Sequence, residues 1–180
     1  MTDEFNLAVS RAGLGLIEAF ARFNVSRNAQ LYEHTAISAT EAAMWIVALD
    51  DLHLRWLPDV ADYRARRDCD EDGRVVRGIT WARNEGVHAL IFRHEWTDEP
   101  GLIFSAGEGR DAGINFSVGE GRDAGMNAEW FVRWASVPDK LRPTKKEPIA
   151  NFEGYRSYLQ GRWVHLTLQA AAQWFGVGLR

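Results

Sequence analysis

The stretch Arg83-Asn84-Glu85-Gly86-Val87-His88 places an arginine and a histidine five positions apart within a segment of helical periodicity. A histidine, with an unperturbed pKa near 6.5, exchanges a proton near neutral pH. An arginine keeps its charge and grips phosphate oxygens with a planar fork. Residues five apart sit about 140° apart on a helix of 3.6 residues per turn. They flank a groove rather than stack. A second pair of the same types, Arg27-Asn28 with His34, opens the second helical segment, and a spacing of seven puts it on one helix face. The first pair has a structural alternative: Arg83 pairing with Glu85 or with an acid on another helix, and His88 as a satisfied core histidine.

Other chemistries find less support. The histidines are His34, His53, His88, His94 and His165, and His88 and His94 lack the i, i+4 spacing of a helical metal pair. There is no Gly-x-x-x-x-Gly-Lys-Ser/Thr, no His-Glu-x-x-His and no Gly-x-Ser-x-Gly. The single cysteine, Cys69, can make neither an internal disulfide nor a cysteine zinc site. Residues 68–73 open like a calcium loop, Asp-x-Asp-x-Asp-Gly, but its twelfth position is Ile79 where a bidentate glutamate is needed. Neither a cofactor nor a metal is expected.

The elements that must position these residues are mainly helical. Phe5, Val9, Ala12, Leu16, Phe20 and Phe23 recur at spacings of three and four and predict a helix over 3–23. Leu31, Thr35, Ser38, Ala42, Trp45, Leu49, Leu52 and Trp56 form one stripe over 28–56, ended by Pro58. A short helix follows over 60–67, then an acidic turn over 68–73 closed by Gly73. A long helix is predicted over 74–96, with Gly86 in its middle, where glycine costs about 1 kcal/mol relative to alanine. That cost points to a close neighbour at Gly86.

Beyond Pro100-Gly101 the pattern changes. Residues 104–115 and 116–127 are a twelve-residue tandem duplication with two conservative differences. Each copy reads as a hairpin with a Gly-rich turn, and a third strand is predicted over 130–134. The Gly-x-Gly-x-x-x-Gly of each copy misses the dinucleotide fingerprint by one residue. Pro138, Pro143 and Pro148 mark a linker. Phe152, Tyr155 and Leu159 suggest a short helix stopped at Gly161, and Val164, Leu168, Ala171, Ala172 and Phe175 a terminal one. The expected organisation is a helical bundle over 1–98, a small antiparallel β-meander over 99–137, and a linker with a helical tail over 138–180.

The chain has 180 residues, 46% of them hydrophobic, so it can bury a real core. No run approaches the roughly 18 apolar residues of a membrane span. The acidic start, Met1-Thr2-Asp3-Glu4, is unlike a signal peptide, and a cytoplasmic location is expected. Net charge is −4, yet 18 of the 21 basic residues are arginine. Arg64, Arg66, Arg67, Arg74, Arg77, Arg83 and Arg93 fall in one stretch, either a solvated face or a local anion-binding surface.

The Arg83–His88 stretch resembles the Arg-x(4–6)-His signature of the HEPN superfamily, whose residue after arginine is usually Asn, Asp or His; here it is Asn84. The resemblance covers roughly residues 1–96. It implies a small all-helical bundle with the motif in a late helix, and a metal-independent endoribonuclease of the kind found in toxin–antitoxin or phage-defence systems. By that resemblance His88 is the acid/base, Arg83 the phosphate clamp and Asn84 a polar orienter. RNA is the implied substrate and an antitoxin a possible partner. Two chains would meet as a homodimer, with the helix over 74–96 facing its copy near Gly86. Two rivals need no catalysis. One is a helical protein-interaction module using the eight tryptophans. The other is single-strand RNA binding on Trp130 and Trp134.

Overall fold

The computed structural model describes residues 3–29, 31–86, 92–93, 132–134 and 148–179. Its elements are α1 (Asp3–Asn28), α2 (Tyr32–Trp56), α3 (Val60–Cys69), α4 (Glu71–Gly86), β1 (Phe92–Arg93), β2 (Arg133–Trp134), α5 (Ile149–Gly154), a π-helical turn (Tyr155–Leu159) and α6 (Val164–Trp174). The protein is mainly helical, as its periodicity predicts.

The α1 face carrying Phe5, Ala12, Leu16, Phe20 and Phe23 is buried. The helix runs on to Asn28, beyond its last apolar core residue, with Ser26 also buried. It lies antiparallel to α2: Phe5 is near Trp56, Gly15 lies against Trp45, and Arg22 pairs with Glu41 at 2.6 Å. A Cβ at Gly15 would overlap the Trp45 indole, so glycine permits the close approach. On α2, Thr35, Ser38, Ala42, Ile46 and Leu49 are buried.

The junction of α3 and α4 is tighter than expected. Asp59 caps α3 by accepting from the Asp62 backbone N–H at 2.8 Å. Asp68 and Cys69 belong to α3, and Gly73 lies inside α4 rather than closing a turn. Only Asp70 separates the two helices, and its Oδ1 accepts from the Gly73 N–H at 3.1 Å. Of the acids that mimic a calcium loop, Asp70 therefore caps α4 and Asp68 pairs with Arg77.

The end of α4 is a second correction. The helix expected over 74–96 is described as far as Gly86 and does not extend to Phe92–Arg93, which instead pairs antiparallel with Arg133–Trp134. The third strand expected over 130–134 is described at Arg133–Trp134, and β1–β2 is the one two-stranded ladder among the described residues. The duplicated hairpins over 104–127 lie outside the described residues, so the described part contains no meander.

Residues 132–134 are tied to the start of α6. Val164 N–H donates to the Val132 carbonyl at 2.9 Å, and Trp134 Nε1 donates to Thr167 Oγ1 at 2.7 Å. The π-turn is closed by the Gln160 N–H donating to the Tyr155 carbonyl at 2.9 Å. It crosses α4 where two glycines meet. A Cβ on Gly78 would lie 3.0 Å from the Gly154 carbonyl and collide with Leu159. One hydrophobic cluster takes in Phe20 and Phe23 of α1, Ile46 and Leu49 of α2, Ile79 and Trp81 of α4, Trp134, Tyr155, Leu159, and Leu168 of α6. No helix among the described residues is long and apolar enough to cross a membrane.

Candidate functional site

Arg83 and Asn84 occupy the last turn of α4, both half-buried. Arg83 Nη1 donates to Asn84 Oδ1 at 3.0 Å. His88 lies outside the described residues. The amide thus holds one of the five guanidinium N–H donors, and it orients a group that has no acceptor of its own.

The rival pair is separated by the structure. Arg27 ends α1 and His34 begins α2, so a turn lies between them and they share no helix face. Their spacing of seven assumed one continuous helix. His34 is exposed. Arg27 instead places its guanidinium 5.9 Å from the Phe23 ring centre, and its charge reaches His165 on α6. Burial, with help from Arg27, pushes the His165 pKa down to about 4. His165 is therefore neutral at pH 7. This neighbourhood joins residues far apart in the chain, and no local motif signals it.

Among the described residues of the arginine-rich stretch, Arg67, Arg74 and Arg77 are tied to other elements of the fold. Arg67 is buried and donates through Nη1 to Asp50 Oδ2 at 2.5 Å. Arg77 Nη1 pairs with Asp68 Oδ2 at 2.7 Å, and its Nε donates to Asn151 Oδ1 at 3.2 Å. Arg74 donates to the Tyr158 hydroxyl at 2.6 Å and to the carbonyls of Asp68 and Cys69. Arg66 pairs with Asp62 at 2.8 Å. Arg64 is exposed.

Around Asp50 a buried polar network has formed. Tyr63 Oη donates to Asp50 Oδ1 at 2.7 Å and accepts from Trp174 Nε1 at 3.4 Å. Burial, followed by the Asp50 charge, pushes the Tyr63 phenol far above its ordinary range, so it stays a donor. His53 stacks on Tyr63 with ring centres 5.4 Å apart. Its Nδ1 lies 2.7 Å from the Leu49 carbonyl and must carry the proton to make that bond. His53 is a core histidine with a structural task.

A cleft of about 490 Å³ opens at the other end of α4, lined by Glu71, Asp72, Tyr158, Trp163 and Thr167 among others. Burial, with Asp70 and Glu71 nearby, raises the Asp72 carboxyl above its usual range. Arg162 shares the lining with Glu71 and Asp72, so its charge is mixed. Val75, the lining residue of α4 nearest the motif, lies eight residues from Arg83, about 12 Å along the helix, so the cleft and the motif are different places. No family model, curated protein or solved structure matches the chain.

Proposed function

We propose that the chain is a metal-independent endoribonuclease of the HEPN type, worked by Arg83, Asn84 and His88. The supporting observation is the Arg83–Asn84 hydrogen bond at the end of α4. It suits an arginine that is positioned by its own neighbour and has further donors for a phosphate. In this reading His88 takes the proton from the ribose 2′-hydroxyl, and the 2′-oxygen attacks the adjacent phosphorus. The bond to the 5′-oxygen breaks, and that oxygen leaves with a proton. The products are a 2′,3′-cyclic phosphate and a 5′-hydroxyl. Arg83 balances the charge that builds on the phosphate oxygens. A role as a toxin or phage-defence effector, held in check by an antitoxin, fits such an activity.

The test is RNA cleavage by the purified chain in EDTA. His88→Ala and Arg83→Ala should each lower the rate by about 10²–10⁴-fold, and the double variant should be little worse than either. His34→Ala should leave the rate unchanged. Expression should be toxic, and His88→Ala should cure it. Failure of the wild-type chain to cut RNA would reject the catalytic reading. The alternative, a non-catalytic interaction module, is favoured by one observation: Leu7, Leu14, Val25, Ile37 and Met44 of α1 and α2 are more than half exposed.

A further inference from the structure

The cleft beside the start of α4 has two walls of opposite charge. α4 supplies Glu71 and Asp72, and the segment between the π-turn and α6 supplies Arg162. Glu71 and Arg162 are exposed and Asp72 is half-buried. None of the three makes an ion pair with a described residue, so the acids and Arg162 stand apart across the gap. Burial, followed by the Asp70 and Glu71 charges, raises the Asp72 carboxyl above its usual range, the direction expected of an acid with no cation beside it.

Much of the remaining lining is apolar: Val75 on α4, Leu166 and Ala170 on α6, and the Trp163 indole. The Arg133 guanidinium lies over the Trp163 ring, 4.0 Å from its centre, and helps to fix that wall. Tyr158 adds a donor. Its oxygen accepts from Arg74 Nη1 at 2.6 Å, which leaves its own proton to give, and no described residue takes it. The Thr167 hydroxyl is already used, by the Trp134 indole and the Val164 carbonyl.

Carboxylates on one wall, a guanidinium and a phenol proton on the other, and apolar surface besides are complementary to a molecule that carries both charges on an apolar body. A phosphate would meet Glu71 and Asp72 as like charges. A simple organic cation would leave Arg162 unanswered. A volume of about 490 Å³ suits a small ligand rather than a folded partner. We propose that this cleft binds a zwitterion with an apolar side chain, an amino acid or a dipeptide, its ammonium at Glu71 and Asp72 and its carboxylate at Arg162 and the Tyr158 hydroxyl. The proposal does not rest on RNA cleavage, since the cleft and Arg83 are different places.

Isothermal titration calorimetry of the full chain at pH 7, with leucine and with Leu-Leu up to about 10 mM, tests it. At least one should bind with a Kd below about 1 mM. Binding of leucine alone assigns the site to free amino acids, and binding of Leu-Leu alone assigns it to peptides. For the ligand that binds, acetylating the amine or amidating the carboxylate should each weaken binding by about 5-fold or more. Glu71→Gln combined with Asp72→Asn should abolish the penalty of acetylation, and Arg162→Gln that of amidation, with circular dichroism unchanged. A merely structural role would not sort the two penalties in this way. No binding of either ligand at 10 mM would overturn the proposal. So would capped ligands that bind the wild type as well as the free zwitterion does, or penalties that persist in the variants.

Discussion

The two ends of α4 use arginine in opposite ways. Near its start, Arg74 and Arg77, with Arg67 at the end of α3, are tied across elements: to Tyr158, to Asp68 and Asn151, and to Asp50. Near its end, Arg83 is held only by its sequence neighbour Asn84 among the described residues. An arginine tied to distant elements is part of the fold, because moving it disturbs several helices at once. An arginine held by its neighbour can meet a ligand without cost to the bundle. The same residue type, nine positions apart in one helix, thus ties distant elements together at Arg74 and, among the described residues, makes only a local contact at Arg83.

The largest expected effect tests the structural end. Arg67→Ala leaves Asp50 buried with only Tyr63 to satisfy it, and should cost about 3–5 kcal/mol in urea unfolding. Arg83→Ala should stay within about 0.5 kcal/mol of the wild type. If the two variants lose equal stability, the contrast between the ends is wrong.

A middle-sized effect belongs to the helix crossing between those ends. Gly78→Ala pushes a methyl group against the Gly154 backbone and Leu159, and should destabilise by about 1–3 kcal/mol. A thermal midpoint unchanged from wild type would show that the crossing can open without penalty.

The smallest effect concerns Arg27, an arginine of a third kind, set over an aromatic ring and facing a neutral histidine. The folded state holds His165 near pKa 4, while the unfolded chain titrates near 6.5. Between these values the unfolded chain binds a proton that the folded one does not. Stability should therefore fall as pH drops from 6.5 to about 4, and this contribution should level off below that. His165→Gln should flatten that part of the curve of thermal midpoint against pH. An identical curve for both proteins would remove His165 from the explanation.

Local pattern made much of the bundle legible. The apolar stripe of α1 and the buried part of the α2 stripe follow directly from spacing, and so does Leu168 with Ala171 and Ala172 on α6. Spacing failed where two patterns were compatible with the same letters. Val87, Ile91 and Phe92 continue the period of α4, but β1 takes Phe92 for a ladder with Trp134, a partner that local sequence cannot name. The same limit hid the fate of the arginines. Asp50 and Arg67 are 17 residues apart, and Arg77 and Asn151 are 74 apart. Only the folded chain shows that these charges are already used. The Arg83–Asn84 contact joins sequence neighbours, but the partner expected for Arg83 was Glu85 or an acid on another helix. A crossing that glycine spacing did not single out lies at Gly78, where α4 meets a segment from late in the chain.

That late segment has a consequence in time. Phe152 and Tyr155 cover Trp81, and Leu159 fills the space beside Gly78. They are translated about 70 residues after Gly86. At the usual 5–20 residues per second, roughly 3.5–14 seconds pass on the ribosome before that wall of the core exists. Through that interval the nascent α4 carries the Trp81 indole without the rings of Phe152 and Tyr155 that cover it, and it is then that the growing chain is most open to a chaperone or to a wrong partner.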